Sequence, residues 1–104
     1  MSWFMVYSGD LLIGWTHLHA IYRSRTTATG TLVPTAGYDL IQASLRELRE
    51  EDQGAFDLQV VDREGNIVDA LSVQVADYTD QGEAIDVAVF GISNPPFQAL
   101  FPCN

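Results

Sequence analysis

Residues 35–50, TAGYDLIQASLRELRE, form the one stretch of this chain with the apolar spacing of a helix. The residues that recur at intervals of three and four are Tyr38, Ile41, Leu45 and Leu48. This spacing places them on one face, which we expect to pack against a sheet. Thr35 is predicted to be the N-cap, and Gly54 follows the acidic run that ends the helix.

Strand patterns lie on both sides of this helix. Before it, aromatic and β-branched runs at 3–7 and 11–18 flank Ser8-Gly9-Asp10, which indicates a hairpin, and a threonine-rich run at 26–33 predicts a third strand. After it, residues 56–61 and 67–75 alternate apolar and polar side chains around a turn. A last strand is predicted at 84–92, and Pro95-Pro96 precedes one apolar helical turn.

The chain is therefore predicted to form a single α+β domain spanning residues 1–104, in the order βββ-α-βββ with a short C-terminal helical turn. Consecutive hairpins imply a mostly antiparallel six-stranded sheet with the helix on one face. Six strands can also curl into a partly open barrel, and the sequence leaves these alternatives open.

Charge is distributed unevenly along the chain. Residues 1–46 hold three arginines and two acids, for a net charge of +1, whereas residues 47–104 hold two arginines and twelve acids, for −10. There is no lysine. This distribution predicts no binding to nucleic acid or anionic membrane, and it favours a basic protein partner.

The acidic second half contains the predicted partner-binding residues. We interpret these carboxylates as solvated groups in loops and at strand ends, because runs of like charge usually form a solvated face. The residues are Glu50, Glu51, Asp52, Asp62, Glu64, Asp77, Asp80 and Glu83.

His17 and His19 are weak candidates for metal ligands, since two histidines at this spacing on a strand share a face, here with Ile13 and Trp15. A third histidine is missing, so we predict neither a metal nor a cofactor. Cys103 and Ser44 are the candidate nucleophiles, but no motif for nucleophilic catalysis surrounds them. The sequence therefore assigns no catalytic residue.

A phosphate site and an exported protein are both disfavoured. Residues 23–27, RSRTT, are basic and rich in hydroxyls, yet no glycine-rich phosphate loop accompanies them. The chain has one cysteine, no signal-peptide pattern and no apolar run near the roughly 20 residues of a membrane span. We expect a cytoplasmic protein.

Four segments resemble a group of small, uncharacterised bacterial proteins. They are residues 12–14 (LIG), 33–42 (VPTAGYDLIQ), 76–79 (ADYT) and 85–92 (IDVAVFGI). The resemblance implies a bacterial cytoplasmic origin and assigns no activity.

Three functional hypotheses follow. The first is a non-enzymatic, acidic protein-binding module, an inhibitor or immunity-type protein that covers a basic site on a cytoplasmic toxin or nucleic-acid-acting complex. The second is a small ligand- or metal-binding domain, possibly enzymatic, that uses the sheet face near Trp15, His17 and His19. The third is a structural protein that self-associates as a homodimer through a strand edge or the apolar tail.

Overall fold

The computed structural model describes residues 3–21, 25–48 and 51–102, and strands dominate these ranges. The strands are β1 (Trp3–Ser8), β2 (Leu11–His17), β3 (His19–Ala20), β4 (Ala28–Pro34), β5 (Leu58–Val61), β6 (Ser72–Asp77) and β7 (Ile85–Phe90). The α-helices are α1 (Gln42–Glu47) and α2 (Phe97–Leu100). Short 3₁₀ turns occupy Ala36–Leu40, Gly54–Phe56 and Thr79–Gln81.

All strand pairs are antiparallel, in the spatial order β5-β1-β2-β4-β7-β6, and the two-residue β3 pairs with β4. The sheet curves into a half-barrel. This confirms the predicted α+β class and the partly open barrel, with β3 as an additional strand. The strands β5 and β6 are the two ends of the ordered sheet, and they border its open seam.

The core lies inside the curve of the half-barrel. Alternate residues of the strands point inward. In β1, Phe4 and Val6 are therefore buried, whereas Trp3, the residue before Phe4, is 43% exposed. Tyr38 and Leu45, from the predicted helical face, close the core and are both buried. Phe97 of α2 and Phe101, which directly follows the helix, add to this layer, and Phe101 stacks on Phe4 at 5.9 Å between ring centroids.

A bulge in β2 makes one sequence prediction wrong. The register passes from Val6 opposite Gly14 to Tyr7 opposite Leu12, which leaves Ile13 without a partner residue in β1. This extra residue interrupts the alternation of the strand. Ile13 is therefore fully buried, while Trp15 is 39% exposed, and the two do not share a face as predicted.

The predicted helix over residues 35–50 is shorter than expected. A 3₁₀ turn at Ala36–Leu40 comes first, and α1 begins only at Gln42. Thr35 occupies the N-cap position of this 3₁₀ turn as predicted, but its side chain makes no capping bond, because its Oγ1 donates to the Leu12 carbonyl at 2.7 Å. A Cβ on Gly37 would lie 2.4 Å from the Leu12 carbonyl oxygen, so the first turn is held too close to β2 for another residue type. Residues 49 and 50 lie outside the described ranges.

The strand predicted over residues 67–75 begins later, at Ser72. Its first residues pair with two different parts of the chain instead of one neighbouring strand. Ile67 forms an isolated bridge with Val61, and Asp69 forms one with Asn94. This segment is therefore an irregular connection between β5 and β6.

Candidate functional site

A cleft of about 380 Å³ lies at the open seam between β5 and β6. Three segments form its walls: residues 52–54 beside the 3₁₀ turn, residues 57–59 at the start of β5, and residues 67–74 along the irregular connection and β6. The cleft exists because the sheet does not close, so that the two end strands face each other across a gap.

Each wall of the cleft carries one carboxylate. Asp52 is held in place because its Oδ1 accepts a hydrogen bond from the Gly54 backbone N–H at 2.8 Å. Asp57 has a left-handed backbone with φ of 49°, which a short polar residue tolerates better than most. Asp69 accepts a bond from Asn94 Nδ2 at 3.4 Å. All three are exposed, and the described residues of the lining include no lysine, arginine or histidine.

Gln53 fixes one end of the β6 wall. Its side chain is almost fully buried, its Oε1 accepts from the Val75 N–H at 2.8 Å, and its Nε2 donates to the Val75 carbonyl at 2.7 Å. The same Nε2 donates to the Leu48 carbonyl at 3.0 Å. The Gln53 side chain thus forms with Val75 the pair of hydrogen bonds that the backbone of a residue on a neighbouring antiparallel strand would form.

Asp77 was predicted to be a solvated loop residue, and the structure corrects this. It is the last residue of β6, its side chain is fully buried, and it accepts hydrogen bonds from Tyr38 Oη at 2.7 Å and from Gln42 Nε2 at 3.0 Å. The backbone N–H and hydroxyl of Thr79 donate at 2.8 and 2.6 Å. Arg46 Nε lies 3.5 Å from its Oδ1.

These contacts determine the ionisation states of Asp77 and Tyr38, which are bonded to each other. Burial by itself raises the pKa of Asp77, but hydrogen bonds from Thr79, Tyr38 and Gln42 outweigh burial and hold the pKa of this carboxyl well below its usual range. Burial, followed by the bond to Asp77, raises the pKa of the Tyr38 hydroxyl well above its usual range. Asp77 is therefore an ionised structural group that joins the helical segment to β6.

Asp62 is also an internal structural residue, contrary to its predicted place on the solvated face. It is 7% exposed, and its Oδ1 accepts from the backbone N–H groups of Glu64 and Asn66, both at 2.9 Å. The side chain closes the turn that follows β5. Its position explains why an aspartate occurs there, because a short carboxylate can accept from backbone groups two and four residues ahead.

The other predicted partner-binding residues are separated by the fold. Asp52 lines the cleft, whereas the exposed residues Glu51, Glu64 and Glu83, together with exposed Asp80, do not. Glu50 lies outside the described residues. Sequence reasoning missed Asp57 and Asp69, because their predicted strand positions gave no sign that they would meet across a seam.

The outer face of the sheet holds the predicted histidines. His17 lies against Trp3, with ring centroids 3.5 Å apart and an angle of 40° between the rings. A recess of about 460 Å³ beside them is also lined by His19 and Asp86. Among the described residues, no group of three or more histidine, cysteine, aspartate or glutamate side chains could hold a metal ion.

Only some of the candidate nucleophiles and of the basic residues 23–27 lie among the described residues. Ser44 is exposed on α1, and Arg25 is exposed before β4. Cys103, Arg23 and Ser24 lie outside the described residues. Within residues 3–21, 25–48 and 51–102, none of the helices is long and apolar enough to cross a membrane.

Comparison with known proteins gives no match to this chain among protein-family models, curated proteins or solved structures.

Proposed function

We propose that this protein is a non-enzymatic binding module that takes a basic segment of a protein partner into the cleft between β5 and β6. The observation that supports this most is the lining of the cleft. Carboxylates of Asp52, Asp57 and Asp69 stand on its separate walls, and none of the lining residues that the structure describes carries a cationic side chain.

The charge of the whole chain supports the same partner. A net charge of −9 attracts a basic segment over distances longer than a contact and raises the rate of association. Within the cleft, arginine is the best match for these groups, because its guanidinium donates two parallel hydrogen bonds to one carboxylate.

The biological role that we propose is that of an inhibitor or immunity-type protein acting in the cytoplasm. Enzymes and complexes that act on nucleic acid carry basic sites, and an acidic protein can occupy such a site where phosphate groups would bind. A toxin or a nucleic-acid-acting complex is the class of partner that fits this charge.

Neutralising the cleft is expected to weaken binding of a basic peptide. The probe is a fluorescein-labelled peptide of about eight residues that alternates arginine with valine, close to the length of an ordinary strand. The variant replaces the three cleft aspartates by asparagine (D52N/D57N/D69N), which keeps their shape. Three lost charge pairs of roughly 0.5–1 kcal/mol each predict a Kd roughly ten- to a hundredfold higher by fluorescence anisotropy.

A matched control separates the cleft from net charge. The control variant D10N/D39N/D86N removes three exposed acids outside the cleft, and so changes the net charge by the same amount. Its Kd is expected to stay within about threefold of the parent. Equal losses in the two variants would show that binding follows net charge alone, and a larger loss in the control would place the peptide elsewhere, including the recess beside Asp86.

A further inference from the structure

We infer that the basic segment binds as an added β-strand along the open edge of β6, an inference that rests on the proposed function and names its mode of recognition. In the described sheet, β6 pairs with β7 on one side and with no strand on the other. A strand edge presents backbone donors and acceptors that an extended peptide can pair with.

The position of Val73 identifies the part of the edge that is open. The Val75 N–H and carbonyl point away from β7, because both bond to the Gln53 side chain. Backbone groups two residues apart on a strand point to the same side. The N–H and carbonyl of Val73 therefore face the cleft, which this residue also lines.

Gln53 sets where an added strand ends. Its amide already occupies the place of a strand residue opposite Val75, so an incoming segment can pair with β6 at Val73 but not at Val75. The result is a short stretch of strand addition that ends at a side chain of the protein itself.

The opposite wall, β5, is already paired at one end. The Val60 carbonyl accepts from the Val68 N–H at 2.8 Å, and the Asp62 N–H donates to the Asn66 carbonyl at 2.9 Å. The connection that follows β5 thus covers the C-terminal end of its outer edge, from the Val60 carbonyl onward. Pairing on β6 at Val73 leaves these hydrogen bonds and those of Gln53 in place.

Charge selects a basic strand and disfavours a second copy of this chain. Two copies that met at this edge would bring the carboxylates of Asp52, Asp57 and Asp69 together, and like charges placed close together repel. An extended basic segment is instead attracted to these carboxylates. Because side chains alternate along a strand, arginines on one face can reach the carboxylates while apolar residues on the other contact exposed Ile67 and Leu71.

Backbone methylation of the arginine–valine peptide tests this mode. In one isomer the arginine nitrogens are N-methylated, and in the other the valine nitrogens are. A strand that pairs along one edge uses the N–H groups of only one set, so one isomer is expected to bind the parent protein at least roughly tenfold more weakly, while the other stays within about threefold. Equal affinity of both isomers and the unmethylated peptide would overturn strand addition.

Amide hydrogen exchange of the ¹⁵N-labelled protein provides a second measurement. Saturating unmethylated peptide is expected to slow exchange of the Val73 N–H by roughly tenfold or more, because the group becomes hydrogen-bonded. Unchanged exchange at Val73 would contradict the inference. If the D52N/D57N/D69N variant still loses affinity in that case, the acidic cleft remains the binding site and only the strand geometry is wrong.

Discussion

Replacing Asp77 with alanine is expected to reduce the free energy of unfolding by about 3 kcal/mol. The substitution removes the acceptor shared by Tyr38 and Gln42 and the ionic partner of Arg46. The Tyr38 hydroxyl is then left buried without this bond, which costs more than the bond itself contributes. Urea denaturation followed by circular dichroism measures the change.

The control for this variant is Glu83→Ala, which removes an exposed carboxylate from the connection between β6 and β7. Its free energy of unfolding is expected to stay within about 0.5 kcal/mol of the parent. If both alanine variants were equally stable, Asp77 would not be the structural group described here.

The pH dependence of stability follows from the same carboxylate. Because the pKa of Asp77 is lower in the folded chain than in the unfolded chain, its contribution is complete above the unfolded pKa of about 4 and is lost as the pH falls towards the folded pKa. Asp77→Asn cannot ionise. The stability difference between the parent and this variant should therefore be largest near neutral pH and shrink below about pH 4.

Replacing Leu45 with alanine is expected to cost about 2–5 kcal/mol. Leu45 is fully buried in α1. Because alanine favours helix formation, the lost free energy of unfolding would come from the cavity left against the sheet and not from a weaker helix. The matched control is Leu40→Ala, since Leu40 is 77% exposed in the preceding 3₁₀ turn. A Leu45 variant that melts with the parent would contradict the packing described for this face.

Alternation along the chain was sufficient to predict most of the strands and their order in the sequence, but not their order in the sheet. The helical spacing of apolar residues also identified Tyr38 and Leu45 as buried residues. The length of the helix was not predictable from local sequence. It depends on the bond from Thr35 to Leu12 and on the close approach of Gly37 to the same residue, and Leu12 belongs to β2, which is distant in sequence. The bulge at Ile13 likewise depends on the register with β1.

The candidate site was less predictable, because the sequence reveals carboxylates but not their surroundings. Asp77 is buried by Tyr38, which lies 39 residues away, so its neighbours in sequence gave no sign of this role. Asp57 and Asp69 come together only after β5 and β6 have become the two ends of one curved sheet. That order depends on the pairing of β4 with β7, which no local pattern specifies.

The most direct test of the acidic cleft is a ¹⁵N–¹H correlation spectrum recorded during titration with the unmethylated arginine–valine peptide. The spectrum reports which backbone amides change their surroundings, whatever the affinity. The largest shifts are expected in residues 52–59 and 67–74, the walls of the cleft. Largest shifts in the 78–84 connection or at Trp15 and His17 on the outer face would contradict binding in the cleft.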